Sequence, residues 1–292
     1  MTTRHFFAIA VCIVVISVGG CSRATSPSRV RSDQFSARKL PLVLARRPDW
    51  MIAASAIRRI DAAGGAAITA RYLNSPHTTI IVGRNISPML MSWRVSFAFD
   101  ARSLNSIRLA VTSGLPARIT RILYDPERWI FTPRSQQVNV GSSVREAAAL
   151  AHSSNRQLIA APATDLAKVG TSGGSVATSF LRSNDLGQAA ANADWVEIQA
   201  QGLERIPTKY ASYVRKAVRQ IRRISQSVVI YSGLSTNPSG PRVTISELIA
   251  DIRFTARDVS GYWLNVPMPG DACPRCGAPR PQLAIDLLEI VR

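Results

Sequence analysis

The sequence predicts an α/β fold: an irregular (β/α) barrel, TIM-barrel-like, in which parallel strands alternate with helices. Three observations lead there. Short apolar runs recur through the second half of the chain, and each is followed by a segment of helical periodicity. The runs are apolar on both faces, Ile119–Leu123 being the clearest, as expected of strands covered on each side. Each run ends in polar or aromatic residues, which puts a candidate ligand face at the strand C-termini. A doubly wound open sheet is the alternative, but no G-x-G-x-x-G and no phosphate loop follows any run.

With 292 residues, 46% of them hydrophobic, the chain can bury one large core or two smaller ones. The first twenty residues read as targeting. Arg4 and His5 precede an apolar stretch, Phe6–Val18, that is too short to span a membrane. It ends in Val18-Gly19-Gly20-Cys21, small residues directly before a cysteine. This stretch resembles the lipobox of bacterial lipoproteins. The resemblance implies cleavage of residues 1–20, diacylglycerol and acyl (palmitate) attachment at Cys21, and an extracytoplasmic protein anchored to the cell membrane. An ordinary signal peptide with an incidental cysteine is the alternative. Residues 21–39 then form a flexible tether whose Arg23, Arg29, Arg31 and Arg38 face lipid headgroups.

The domain runs from 40 to 292. Asp49–Ala63 predicts a helix stopped by Gly64-Gly65. Ala66–Leu73 and Thr79–Gly83 predict strands around an Asn74-Ser75-Pro76 turn. Asn85–Phe99 shows no clear period, and Asp100–Ser113 predicts a helix. After these come strand Ile119–Tyr124, a helix from Ser143 with Glu146 completing a capping box, and strand Gln157–Ala161. The polar loop Gly170–Thr178 leads to a helix at Leu181–Asn192, strand Asp194–Ile198 and a long helix, Pro207–Ile224. Strand Val228–Tyr231, a helix capped by Thr244 and Glu247, strand Val259–Leu264 and a last helix, Gln282–Val291, complete six or seven strands.

The formal net charge is +18, and 32 of the 36 basic residues are arginine. They are scattered and no recognition motif accompanies them, which argues against nucleic acid as a partner. Anionic lipid or an envelope polymer suits the surface better. Cys12 lies in the leader, so two cysteines remain beside Cys21, in Cys273-Pro-Arg-Cys276. One C-x-x-C is half of a zinc site and no second half exists, so no metal or cofactor is expected; a small disulfide is.

The polar residues that could carry chemistry follow the strands. Asp125 and Glu127 flank Pro126, where a strand must stop because proline cannot donate to a ladder. Two residues apart on extended backbone, they share a side at roughly 6–7 Å between Cα atoms. Close carboxylates push one pKa up, so that one member can donate a proton. Glu197, inside a strand, is either a further catalytic carboxylate or an arginine partner. Tyr124, Trp129, Asp165, Gln199, Gln201, Tyr231, Trp263 and Asn265 supply the amides, acids and rings that bind hydroxyls and cover sugar faces. An Asp–Pro turn with Glu127 paired to Arg121 or Arg128 is the structural alternative. His77 and His152 lack triad partners, and no G-x-S-x-G elbow is present, so serine hydrolysis is not expected.

The D-x-E at a strand end is similar to that of chitinase-type glycosidases. That resemblance implies Glu127 as general acid, Asp125 orienting the substrate and Trp263 closing the sugar site, although Ile119–Tyr124 has no carboxylate to extend the signature upstream. Together, Y-D-P-E-x-W, A-P-A-x-D-L, E-I-Q-A-Q, G-L-S-T-N-P and G-Y-W-L-N before C-P-x-C-G resemble a group of secreted or lipid-anchored bacterial proteins of glycosidase-like barrel fold. The expectation is a lipid-anchored envelope protein with a carbohydrate-type cleft, acting on glycosides through Glu127 with Asp125 or Glu197. A non-catalytic glycan-binding or structural envelope lipoprotein is the rival.

Overall fold

In the computed structural model, which describes residues 44, 46–169, 175–238, 242–271, 273–274 and 276–291, the strands close on themselves. The leader, Cys21, the tether and residues 170–174 of the Gly170–Thr178 loop lie outside the described residues. Strands β1 (Asp49–Ala53), β2 (Thr78–Val82), β3 (Ser96–Ala101), β4 (Ile119–Tyr124), β5 (Gln157–Ala160), β6 (Trp195–Ile198), β7 (Val229–Ser235) and β8 (Gly261–Asn265) pair in parallel in chain order. β8 returns to β1 through Asp49 opposite Gly261, which completes an eight-stranded TIM barrel. Around it run α1 (Ala54–Ile60), α2 (Ala66–Leu73), α3 (Pro88–Met91), α4 (Leu104–Thr112), α5 (Arg134–Val138), α6 (Val140–Ser153), α7 (Val176–Ser183), α8 (Asp185–Ala190), α9 (Pro207–Ile224), α10 (Ile245–Thr255) and α11 (Pro281–Ile290).

Six or seven strands become eight because two are hidden in the sequence. β1 runs into α1 at Ala53 with no turn residue and no side-chain cap between them, so the pair reads as one helix. β3 carries a register shift at Phe97/Ala98 and ends on Asp100-Ala101, which blurs its alternation. Conversely, Ala66–Leu73 is helical despite Ile68, Thr69 and Tyr72. The chain leaves helical geometry only across Gly64 (φ 89°) and Gly65, and Thr69 Oγ1 donates to Asp61 Oδ1 at 2.6 Å across that kink. Gly65 is required there, since a Cβ would meet Ile60 at 2.6 Å and Ile285 of α11 at 2.8 Å. The Thr244–Glu247 capping box forms as expected, whereas α6 begins at Val140 and buries Ser143.

Strand alternation sorts the side chains into two layers. Val196, Ile198, Ile230, Leu234 and Tyr262 point outward against the helices. Met51, Ile81, Ala98, Leu123, Ile159, Tyr231 and Trp263 fill the interior. The N-terminal mouth is plugged: Arg121 donates to Thr79 Oγ1 (2.8 Å) and Gln157 Oε1 (3.1 Å) and lies 4.3 Å from the Trp195 ring centroid. Trp195 in turn stacks on Tyr231 at 5.1 Å. Function is therefore left to the C-terminal mouth.

Candidate functional site at the C-terminal mouth

β4 delivers the acid pair. After inward-facing Leu123, alternation turns Tyr124 out and Asp125 in, and the backbone stays extended: Asp125 N–H donates to Ala101 O at 2.9 Å. Pro126 has no N–H to give, but its carbonyl accepts from Ala163 at 3.0 Å, so the segment is held beyond the ladder. Asp125 is buried and Glu127 half-buried on the same side.

β6 supplies the partners. Gln199 Nε2 donates to Asp125 Oδ1 at 2.7 Å and to Ala161 O at 3.0 Å, fixing its amide between β4 and β5. Glu197, two residues earlier on the same face, is fully buried with neither carboxylate oxygen hydrogen-bonded among the described residues. Such a group is held neutral, because an unpaired buried charge is far costlier than a buried acid. Arg102, just past β3, brings positive charge. Its guanidinium lies 4.9 Å from the ring centroids of both Trp129 and Phe131 and 3.4 Å from Asp100.

The electrostatics follow from burial first. Burial pushes the Glu127 carboxyl up to about 7; the Asp165 charge adds to this, while a hydrogen bond with Gln199 and the Arg102 charge oppose it. Burial raises Asp125 well above the carboxylate range, with Glu127, Asp100 and Glu197 acting in the same sense. Glu197 is raised by burial and by Glu127. Burial and like charge therefore act together on all three acids and favour their protonated forms.

Other sequence-predicted residues fall in four places. Trp129 stands half-buried on the rim, its Nε1 donating to Thr132 Oγ1 at 2.7 Å and its ring edge-on to Phe131 at 5.3 Å. Asp165 accepts from the Arg128 backbone N–H at 3.1 Å. Gln201 lies over Gly233, where a Cβ would sit 2.1 Å from its Nε2. Gly233 pairs with Trp263, which faces the barrel interior with its indole N–H unpartnered among the described residues, and Asn265 follows two residues on. Tyr124 instead turns into the helix layer, donating to Gln136 Oε1 at 3.0 Å, and Tyr231 belongs to the plug at the opposite mouth. Neither is brought to the acid cluster. Glu127 forms no ion pair with Arg121 or Arg128 among the described residues; Arg121 is committed to the plug.

Sequence reasoning missed Asp100, Arg102 and Phe131. The first two sat at the start of an expected helix, and the Phe97–Phe99 alternation before them was the signal for a strand ending there. Glu204 is buried and accepts from the Gly202 and Ser235 backbone N–H groups, tying the β6–α9 loop to β7. Cys273 and Cys276 form the expected disulfide, and Asn237, beyond β7, donates to Gly277 and Ala278 in that loop. Among the described residues no group of three or more His, Cys, Asp and Glu side chains is placed to hold a metal ion.

Fold and site together define a TIM barrel with a buried acid cluster at its C-terminal mouth. No protein-family model and no curated protein sequence matches the chain. Solved structures do. A Bacteroides thetaiotaomicron VPI-5482 protein assigned as an alpha-L-fucosidase superposes with a TM-score of 0.52 at 7% identity, covering 82% of this chain and 91% of its own. An endo-beta-1,3-glucanase from Sorangium cellulosum gives a TM-score of 0.47 at 10% identity, over 76% of this chain and 94% of its own. A Toxoplasma gondii protein assigned as a deoxyribose-phosphate aldolase gives 0.47 at 12%, over 84% and 93%. At these identities the likeness is one of barrel fold.

Proposed function

We propose that the protein hydrolyses glycosides at the C-terminal mouth, with Glu127 as the general acid. The observation that carries this is the Glu127 carboxyl, half-buried, raised to about 7 and facing a second, more deeply buried acid through Gln199. A proton donor to a leaving oxygen needs a pKa near the working pH, and glycosidases pair it with a second carboxylate. Asp125, oriented by Gln199, is that second group in this reading, with buried Glu197 beneath it. Trp129 offers a ring face at the rim, Trp263 a ring from β8, and Gln201, Asp165 and Asn265 hydrogen bonds for hydroxyls. That a barrel assigned as a fucosidase shares the fold agrees with this reading; the carboxylates carry it.

The same reading places the protein outside the cytoplasm, lipid-anchored through Cys21 by its lipobox-like leader, with an envelope glycan as substrate. Among the described residues no helix is long and apolar enough to cross a membrane. The test is turnover of a panel of envelope glycans and aryl-glycosides by wild type and Glu127→Gln, read alongside ligand-induced thermal shift. Turnover lost in the variant with the shift retained supports the assignment. A shift in both proteins without turnover in either would make the protein a binder.

A further inference from the structure

A second site lies away from the acid cluster, on the outer wall of the barrel. α9 carries Lys209, Arg215, Lys216, Arg219, Arg222 and Arg223 and no acidic residue. Two of these cations are committed: Arg215 pairs with Asp258 at 3.3 Å, and Arg222 caps the Gln226 and Val228 carbonyls at 2.7 Å each. Lys216, Arg219 and Arg223, spaced i, i+3, i+7, share one helix face and have neither ion pair nor side-chain hydrogen bond among the described residues. They line a groove of about 340 Å³ together with Leu181, Gln220 and Ile224, and no lining residue is acidic.

The groove is more than a solvated charge run. Gln220 is clamped, its Nε2 donating to Asn184 Oδ1 at 2.8 Å and Leu181 O at 3.3 Å, which leaves Oε1 buried and without a partner among the described residues. Leu181 and Ile224 add apolar edges, Ile224 being 52% exposed. Three unpaired cations want an anion, and the aliphatic edges want hydrocarbon. An anionic glycerophospholipid offers both, a phosphate and the acyl chains beside it. α9 leaves the C-terminal mouth after β6 and runs back along the barrel, so its second half, which holds the groove, lies toward the plugged N-terminal mouth.

We infer that this groove docks the protein on an anionic phospholipid surface, with Lys216, Arg219 and Arg223 on the phosphate and Leu181 and Ile224 against the acyl region. Docking there leaves the acid cluster facing away from the bilayer. The inference stands whether or not the mouth hydrolyses glycosides.

The test uses the full chain and co-sedimentation with phosphatidylcholine vesicles, with and without phosphatidylglycerol. Any leader or anchor inserts into both, so the phosphatidylglycerol-dependent increment is what is read. Neutralising Lys216, Arg219 and Arg223 to Gln is expected to lower that increment roughly 100-fold, at about one membrane-proximal charge's worth per residue. Arg219→Gln alone must move the same way by roughly 5-fold. The increment should weaken as salt rises. Neutralising Arg205, Lys209 and Arg257, exposed cations outside the groove, makes the same change in charge. An equal loss there would overturn the inference, because bulk charge would then suffice. No increment in the wild type would overturn it too. So would free glycerol phosphate that displaces the protein at micromolar concentration, which would make the groove a site for soluble esters.

Discussion

Glu127→Gln should make the protein more stable, and the gain should depend on pH in a defined way. Burial lifts the Glu127 carboxyl from the ordinary 4.5 to about 7 in the folded protein. Below about pH 4.5 the group is protonated in folded and unfolded chains alike and contributes nothing. As pH rises from there to about 7 the unfolded chain binds fewer protons than the folded one, so stability falls. Above about 7 the penalty is complete: some 2.5 units at about 1.4 kcal/mol each, or about 3 kcal/mol. Gln mimics the protonated acid and escapes it. The same change removes a charge that raises Asp125 and Glu197, which adds in the same direction. For a domain of this size, about 3 kcal/mol moves a thermal midpoint by roughly 6–12 °C. The assay is thermal unfolding of both proteins at about pH 4 and about pH 8, with coincident midpoints at the lower pH and a higher variant midpoint at the upper. A variant that melts with or below the wild type at the upper pH would refute the electrostatic account of the mouth. The expected pattern also says what the site costs: a carboxylate kept ready for proton transfer is kept at the expense of stability.

Three other perturbations separate scaffold from site. Gly261→Ala should lower stability by about 2–3 kcal/mol, since its Cβ would fall 2.2 Å from the Asp49 carbonyl at the β8–β1 closure, where backbone cannot step aside; an unchanged melting curve would show that the barrel seam has slack. Arg102→Met removes the cation that opposes the raised Glu127 pKa, so the basic limb of a pH–rate profile should move upward, and a limb that stays or drops would show that Arg102 is not felt at Glu127. Reducing the Cys273–Cys276 disulfide, which spans a sequence separation of 3, should cost no more than about 2 kcal/mol, because so short a loop loses little entropy when closed. Near-ultraviolet circular dichroism or calorimetric melting with and without reductant measures it, and loss of the folded state on reduction would contradict this expectation.

The barrel was legible from β4 onward because punctuation there is strong. Pro126 ends one strand, Thr244 and Glu247 cap one helix, and apolar runs on both faces mark parallel strands. It was illegible where punctuation fails. β1 passes into α1 across Ala53 with nothing to signal the change, and a kink at Gly64 inside continuous helix looks, in sequence, like a stop. At the mouth, Asp125, Glu127, Glu197 and Gln199 could be gathered because they end strands on inward-facing positions. The aromatic residues were harder to place. Tyr124 sits one position from Asp125, which alternation sends to the opposite face, and Tyr231 lies too early in β7 to reach the mouth. For Arg102 the Phe97–Phe99 alternation could mark the strand it follows, but not where its guanidinium goes, because what positions it is the Trp129–Phe131 ring pair contributed by another loop.

Proton donation by Glu127 is the central claim, and leaving-group dependence tests it most directly. Wild type should turn over aryl-glycosides of good and poor leaving groups with a basic limb near 7, matching the Glu127 carboxyl. Glu127→Gln should lose that limb and the poor leaving groups, by roughly 100-fold or more, while retaining those that depart without a proton. If the variant handled both classes alike, with the wild-type pH profile intact, Glu127 would not be the acid.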